Sequence, residues 1–342
     1  HAAARFLLER YHTGDPYRDM TAELLAIATG AHHGLFDCVD KNHRLGFVRR
    51  LQWDDNSYRE ATAAFLAQCA GPEELDALFD QAEQELSPLF DRINDRESNE
   101  EIWFYLGLLA RLLLSAVIEG DRFDTACYKY GAMPATSPEP RQELWLRLLR
   151  RVEEKLDGLP HDTPVQRARR EISRRCREAA DKPGGIYRLN VPTGGGKTLS
   201  SLRFALAHAA AHGKSRILFT APLLSILDQN ANVLRESIGD DSLVLEHHSN
   251  VIRQERDLDG GKAELEPKEL MAVNWSSAPV IITTLVQLLN TLFDGRTTCI
   301  RRFQALCNCV LVIDEAQTVP PRMLTLFNLA MNFLADICGA TV

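Results

Sequence analysis

The sequence predicts a multi-domain protein in which an all-α domain is followed by an α/β domain with a mostly parallel sheet. The first half of the chain carries helical periodicity and no strand alternation. From residue 186 onward, short apolar runs alternate with helical segments, a pattern typical of a parallel sheet covered on both faces. The stretch 158–164 contains glycine and prolines and is the predicted join. We therefore expect domains at 1–157 and 158–342.

Composition indicates a globular protein with no global affinity for nucleic acid. The chain has 342 residues, of which 45% are hydrophobic and 25% charged, enough for two ordinary domains. The formal net charge is -8. A nucleic acid would therefore have to bind in a local groove, because the protein as a whole is not basic. The cysteines form no C-x-x-C pairs, which favours a reducing, cytoplasmic location.

The first domain is predicted to be a helical bundle. Its most apolar stretch, 102–118, is shorter than a comfortable membrane span, so we expect a buried central helix and no membrane partner. Glycines and prolines separate the periodic segments. The predicted helices cover residues 2–11, 20–29, 58–69, 73–86, 100–119 and 139–156.

Residues 190–198, Asn-Val-Pro-Thr-Gly-Gly-Gly-Lys-Thr, form the strongest motif. A β-compatible segment, 186–191, precedes them, and a helix is predicted at 199–212. Glycines allow successive backbone N–H groups to converge on an anion, and the helix N-terminus points at the same place. The motif therefore predicts a phosphate-binding loop. The alternative is a flexible glycine turn with a chance Lys-Thr.

The residues of this loop have distinct expected roles. The phosphates of ATP would lie against Gly194, Gly195 and Gly196. Lys197 would reach the β- and γ-phosphates, and the hydroxyl of Thr198 would hold Mg²⁺.

A second motif delivers two carboxylates to the same domain. Four apolar residues at 310–313 predict a buried strand that ends at Asp314 and Glu315. Asp314 would hold Mg²⁺ through water, and Glu315 would polarise the attacking water. Gln317 would sense the γ-phosphate. Further strands are predicted at 216–221 and 280–284, and every motif falls at a strand's carboxyl end, where parallel sheets bind ligands.

Pro-Thr-Gly-x-Gly-Lys-Thr after an apolar strand resembles the phosphate loop of superfamily 2 helicases. The resemblance implies that Ser225, Thr283 and Thr284 grip the phosphates of a single strand. It also implies that Gln166, upstream of the loop, reads the adenine base. The basic run around Gln166 is otherwise a solvated helix face.

Two segments of the first half resemble the HD-type phosphohydrolase domain of the helicase–nuclease of type I CRISPR systems. They are Ala-His-His-Gly at 31–34 and Leu-Leu-Ser-Ala-Val-Ile-Glu-Gly-Asp-Arg at 113–122. By this resemblance His1, His32, His33 and Asp121 are metal ligands. Imidazole and carboxylate ligands favour a divalent transition metal, namely Mn, Fe, Co, Ni or Zn. Considered alone, the paired histidines are a surface or capping pair.

Residues 222–230, 246–250, 281–287 and 314–317 resemble the same family, in the family's order. The resemblance implies an HD-type domain followed by a RecA-like domain with a mostly parallel sheet. The implied hydrolase is an ATP-dependent 3′→5′ single-stranded DNA translocase and helicase coupled to a metal-dependent single-stranded DNA endonuclease or exonuclease. An RNA-guided surveillance complex would recruit it to an R-loop, where the displaced strand is degraded during CRISPR interference.

The resemblance also implies further sequence on both sides, namely a His-Asp doublet before His1 and a second RecA-like domain after Val342. Two other functions fit the motifs. One is a DNA-repair or RNA helicase of superfamily 2 with an unrelated helical domain. The other is a nucleotide-gated docking module without catalysis.

Overall fold

The computed structural model describes residues 2–35, 46–51, 55–131, 139–192, 194–222, 224–247, 275 and 278–342. The chain divides into two compact units. The first unit comprises His1–Thr125 and Thr291–Gln304, and the second unit comprises Ala126–Asn290 and Ala305–Val342. The predicted α/β part with a parallel sheet is confirmed in the second unit.

The first unit is built from helices. The helix α2 illustrates why they form here: Pro16 occupies its first turn, and the Asp15 side chain accepts hydrogen bonds from the Tyr17 and Arg18 amides. The bounds are α1 Ala2–Tyr11, α2 Pro16–Gly30, α3 Gly46–Leu51, α4 Asp55–Gln68, α5 Pro72–Asn94 and α6 Asn99–Tyr130.

Helix α6 is longer than predicted, because it continues through Gly120 to Tyr130. Its stretch 99–125 is long and apolar enough to cross a membrane, a test that the core helix of a soluble protein also passes. A charged group in this stretch is partly buried: Arg111 donates hydrogen bonds to the carbonyl oxygens of Thr291, at 3.0 Å, and Asp294, at 2.6 Å. Desolvation lowers the pKa of Arg111 to about 10.

The second unit is a parallel sheet with helices. The sheet order is β2-β3-β1-β4, and each neighbouring pair is parallel. The strands are β1 Arg216–Ala221, β2 Val244–His247, β3 Val280–Thr284 and β4 Cys309–Ile313. The remaining α-helices in the part of the chain that the structure describes are α7 Arg141–Asp157, α8 Pro164–Ala179, α9 Lys197–His212, α10 Leu224–Ile238, α11 Leu285–Phe293, α12 Thr297–Ile300 and α13 Leu324–Asp336.

The division between the units lies earlier than the predicted join at 158. Helix α7 belongs to the second unit because its apolar face packs in the same buried cluster as α9. The cluster contains Leu144, Trp145 and Leu148 of α7 together with Leu202 and Leu206 of α9. The Gly-Pro stretch that suggested a join is therefore a connection inside the second unit.

The segment 186–191, predicted to be a strand, forms no regular secondary structure. Its pairing is limited to the start, where the Tyr187 amide donates to the Val342 carbonyl at 2.7 Å and the Val342 amide donates to Gly185 at 2.9 Å. Thr341 in turn pairs with β4, because its amide donates to the Cys309 carbonyl at 2.8 Å. The last residues of the chain thus connect β4 to the segment before the phosphate loop.

Trp145 provides a test of how α7 is held in the second unit. The side chain is fully buried, and its indole Nε1 donates to the Lys214 carbonyl at 2.7 Å. We expect Trp145→Phe to lower the free energy of unfolding by roughly 1–3 kcal/mol, because the Lys214 carbonyl loses its donor. Urea denaturation followed by circular dichroism measures this. Leu146→Ala, at a side chain 48% exposed, is the control, and equal losses in both variants would contradict the assignment.

Candidate active site

The candidate site lies at the carboxyl end of the sheet, where the phosphate loop leads into α9. A cleft of about 970 Å³ opens there. Its lining includes the loop end and the residues after β4. The predicted residues Lys197, Thr198, Asp314, Glu315 and Gln317 all line this cleft. The two motifs therefore meet at one edge of the sheet.

The three glycines of the loop are required by its backbone. Gly194 has φ +80° and Gly196 has φ +82°, a left-handed conformation that glycine adopts without a steric cost. Gly195 is needed for space, since a Cβ there would lie 2.3 Å from Cγ1 of Val191. Gly196 is also the N-cap of α9, so the helix begins directly at Lys197. Thr193 lies outside the described residues.

Arg169 on α8 holds the loop from outside, a contact that the sequence analysis missed. Its Nε donates to the Gly194 carbonyl at 2.7 Å. Its methylene groups cover Gly196, where Cγ lies 3.5 Å from the position of an added Cβ. A carbonyl bound in this way is directed toward α8 rather than toward an incoming phosphate. The only sequence signal was the basic run, which does not distinguish Arg169 from its neighbours.

Lys197 and Glu315 join the loop to the end of β4. The Lys197 Nζ lies 3.3 Å from Glu315 Oε1, and Gln317 Nε2 donates to the other carboxylate oxygen. The hydrogen bond from Gln317 and then that from Lys197 lower the pKa of Glu315 below its ordinary value. Glu315 is therefore a carboxylate at neutral pH.

Glu315 also has an unusual backbone. Its φ of +55° is left-handed, which is uncommon for a residue with a side chain and often marks functional sites. The carbonyl oxygen of Glu315 accepts hydrogen bonds from the Thr318 amide and the Thr318 hydroxyl, both at 2.9 Å. These two bonds stabilise the turn that presents the carboxylate to the cleft.

A second link runs from Thr198 to Asp314 through Asn230. The Thr198 hydroxyl lies 3.1 Å from Asn230 Oδ1, and Asn230 Nδ2 lies 3.3 Å from Asp314 Oδ2. Asp314 is positioned by the sheet, because its amide donates to the Thr220 carbonyl of β1 at 3.0 Å. Asn230 is the second site residue that the sequence analysis did not identify.

These residues fit a magnesium nucleotide. The glycine cradle excludes side chains from the loop, and Lys197 supplies a cation at its end. Thr198 and Asp314 supply oxygen ligands of the kind that Mg²⁺ takes together with water and substrate phosphates. The cradle, the lysine and the oxygen pair together could hold ATP with Mg²⁺.

Gln166 has a different environment from the one expected. It does not line the cleft. Its side-chain Oε1 accepts from the Thr163 amide at 3.0 Å, and the Gln166 amide donates to the Thr163 hydroxyl at 3.3 Å, so the pair forms a capping box at the start of α8. Contact with adenine stays a prediction, and it would require the Gln166 side chain to leave this cap.

Two of the expected strand-gripping hydroxyls, those of Thr283 and Thr284, are not displayed on the surface. Thr283 is fully buried, and its hydroxyl donates to the His247 carbonyl of β2 at 2.8 Å, so it presents no group to a nucleic acid in this structure. The Thr284 hydroxyl accepts from the Gln287 amide at 3.3 Å and caps α11. Contact of Thr284 with a strand stays a prediction. The Ser225 side chain lies outside the described residues.

Among the residues that the structure describes, the expected HD-type ligands are not gathered into a metal site. Among the described residues, no group of three His, Cys, Asp or Glu side chains could hold a metal ion, and His1 lies outside them. The ligand role of His32, His33 and Asp121 stays a prediction, although Asp121 does not lie at a helix end as expected. Asp121 instead lies inside α6, with an exposed side chain.

The two histidines themselves are neighbours at the end of α2. The ring centroids of His32 and His33 are 3.8 Å apart. The His32 Nδ1 lies 2.7 Å from the Thr29 carbonyl oxygen, and because a carbonyl only accepts, Nδ1 carries the proton. This turn packs on α6, since Ala31 belongs to the same buried cluster as Ile118.

Comparison with known proteins relates part of the second half to helicases. Residues 173–323 match the DEAD/DEAH box helicase family. This part of the chain is therefore similar to a helicase domain. No curated protein compared with the chain matches it.

Solved structures similar to the chain include those of T. fusca Cas3. The crystal structure of T. fusca Cas3–AMPPNP is 17% identical, with 97% of this chain and 37% of that chain covered and a TM-score of 0.51. That of T. fusca Cas3–ATP is 19% identical, with coverages of 95% and 36% and a TM-score of 0.47. The chain thus spans little more than a third of those proteins. The likeness to Cas3 inferred from the motifs is confirmed at the level of the fold.

Lys197 provides the direct test of the loop. We expect Lys197→Ala to abolish nucleotide binding while the fold is kept, because the change removes an ammonium at the loop and no core volume. Binding of a fluorescent ATP analogue is the measurement, with circular dichroism to verify the fold. Lys182→Ala, at an exposed lysine of the same unit, is the control. Nucleotide affinity equal to that of the unmodified chain would contradict the loop assignment.

Proposed function

We propose that this chain carries the ATP-hydrolysing motor of a helicase of type I CRISPR systems, which moves 3′→5′ along single-stranded DNA. The observation that carries the proposal is the pair of links from the first turn of α9 to the end of β4, Lys197–Glu315 and Thr198–Asn230–Asp314. They bring a phosphate-binding loop, a cation-binding pair and a carboxylate base to one cleft.

Each residue has a definite task in hydrolysis. Lys197 neutralises charge on the β- and γ-phosphates. Bound Mg²⁺ adds further neutralisation of phosphate charge, and Thr198 and Asp314 are the residues that would hold it. Glu315, kept ionised by Gln317 and Lys197, orients and polarises the attacking water. With ATP bound, Lys197 turns from Glu315 to the phosphates, and the carboxylate becomes available to the water.

The DNA substrate and the partner are inferred from the sequence motifs. The order of the motifs along the chain supports a type I CRISPR protein, and the similarity in fold to T. fusca Cas3 agrees with it. The partner is then an RNA-guided surveillance complex in the cytoplasm, and the substrate is the displaced strand of its R-loop. A helicase for RNA or for DNA repair is the alternative, and the preferred polynucleotide distinguishes them.

A second activity, metal-dependent cleavage of single-stranded DNA, is proposed for the helical unit. Two observations favour it. The turn that carries His32 and His33 packs near the Asp121 region of α6. His32 donates its Nδ1 proton to a backbone carbonyl, the arrangement that metal-binding histidines commonly have, with the lone pair left on Nε2. The further ligands of this metal site would be Asp121 and the residues that the resemblance implies before Ala2.

Substitution of Glu315 tests nucleotide binding and hydrolysis separately. We expect Glu315→Gln to bind ATP as the unmodified protein does but to hydrolyse it at least about a hundredfold more slowly, because a general base typically contributes 10²–10⁴ in rate. ATP turnover with and without single-stranded DNA, and in parallel with RNA, is the measurement. Unchanged turnover, or loss of binding, would show that Glu315 has another role. Stimulation by RNA alone would support the alternative helicase.

The nuclease proposal has its own test in the protein with its flanking sequence. We expect His33→Ala or Asp121→Ala to remove cleavage of single-stranded DNA in the presence of Mn, Fe, Co, Ni or Zn. ATP hydrolysis should be spared, since the motor cleft is in the other unit. Asp124→Ala, at an exposed acid one turn further along α6, is the control. Cleavage that survives both variants would remove the nuclease from the proposed function.

A further inference from the structure

We infer that Asn230 is a positioning residue for the Mg²⁺ of the bound nucleotide, acting through Thr198 and Asp314. The inference rests on the proposed function, because it concerns the same cleft. The structural basis is a single carboxamide that lies between the two residues expected to hold the cation, with contacts of 3.1 and 3.3 Å. The three side chains come from α9, α10 and the end of β4, and all three line the cleft.

The chemistry of the three groups fixes the orientation of the Asn230 amide. A carboxylate at neutral pH only accepts hydrogen bonds, so the NH₂ group of Asn230 must face Asp314. The amide oxygen therefore faces Thr198. An amide oxygen also only accepts, so the Thr198 hydroxyl must donate its proton to Asn230. The network has one consistent arrangement of hydrogens.

This arrangement prepares Thr198 for a cation. A hydroxyl has one proton and two lone pairs. Because the proton is directed to Asn230, the lone pairs of Thr198 are directed away from Asn230 and can be given to Mg²⁺. Without Asn230 the hydroxyl would rotate freely and would donate its proton to whichever acceptor is nearest, including a phosphate oxygen.

Asp314 is prepared in a similar way. Asn230 binds Oδ2 of this carboxylate, which leaves Oδ1 for a water bound to the cation. The Asp314 backbone is already held by the sheet through Thr220. With both the backbone and one oxygen held, the remaining oxygen has a defined direction. Groups that orient metal ligands in this way commonly change metal affinity by roughly 10–100-fold when they are removed.

The experiment measures Mg²⁺ dependence rather than hydrolysis. Binding of a fluorescent ADP analogue to the 342-residue chain is titrated first without Mg²⁺ and then with increasing Mg²⁺. For Asn230→Ala we expect nucleotide affinity without Mg²⁺ to stay within about twofold of the unmodified chain, because Lys197 and the glycine loop are intact. The Mg²⁺ concentration that gives half of the Mg²⁺-dependent increase in nucleotide affinity should rise about tenfold or more.

A second variant distinguishes the proposed positioning role from a simple loss of structure. Asn230→Asp keeps the acceptor for Thr198 but replaces the donor to Asp314 with a second carboxylate. Two neighbouring carboxylates repel each other and attract a divalent cation. We therefore expect that Mg²⁺ increases the nucleotide affinity of Asn230→Asp more than it increases that of the unmodified chain. In Asn230→Ala, by contrast, a higher Mg²⁺ concentration is needed for the same increase. Asn232→Ala, at an exposed position on the same helix, is the control.

The possible results are distinguishable. If Asn230→Ala and Asn230→Asp weaken binding equally with and without Mg²⁺, Asn230 has only a structural role and the inference is overturned. Unchanged Mg²⁺ dependence in Asn230→Ala overturns it as well, while the proposed function stands. If the unmodified chain binds no nucleotide, the proposed function fails and the inference fails with it.

Discussion

The site depends on the contact between the first turn of α9 and the end of β4. Parallel pairing of β1 with β4 places the carboxyl end of β4 beside that of β1, and the Asp314 amide is bound to Thr220. The next two side chains after β4 therefore lie opposite the phosphate loop. Because α9 begins immediately after Gly196, its first two residues are the ones that meet them. Sheet register and helix start thus determine the pairs Lys197–Glu315 and Thr198–Asn230–Asp314.

The same contact explains the backbone of Glu315. A strand continuing beyond Ile313 would direct alternate side chains to opposite faces of the sheet. Both Asp314 and Glu315 line the cleft, which regular strand geometry does not allow for adjacent residues. The left-handed φ of Glu315 turns the chain so that both carboxylates are presented. Its conformational cost is offset by the two hydrogen bonds from Thr318 and by those to the carboxylate.

The sequence was most informative where a local pattern determines the structure. The strands at 216–221 and 280–284 were predicted with the bounds that the structure has, because both are short apolar runs between turns. The segment 186–191 was predicted wrongly, since its pairing depends on residues 341–342, more than 150 positions away. Strand β2 was missed because it is only four residues long. Gly120 suggested a helix end, but α6 continues through it to Tyr130.

The functional residues show the same difference between features set by local sequence and features set by contacts between distant elements. The loop and the acid pair are contiguous in sequence, so their chemistry was visible. Asn230 and Arg169 act through contacts between elements, and nothing in their own neighbourhood distinguishes them. Thr283 shows the opposite error: a hydroxyl at a strand end was expected to face a ligand, but the addition of β2 beside β3 buries it.

The basic run on α8 shows how charge is used locally in an acidic protein. Glu171 pairs with Arg174 and Arg175, whose hydrogen bonds lower its pKa to about 2, and Arg177 pairs with Asp181. Arg174 and Arg175 are paired on their own helix, and Arg177 just beyond its end, at the i,i+3 and i,i+4 spacings that stabilise helices. Arg169 instead crosses to the loop. Helix α8 is therefore bound to the phosphate loop through Gly194, and a change of loop conformation on binding phosphate has to break or move that contact. The Arg169–Gly194 hydrogen bond in this way links α8 to the conformation of the loop.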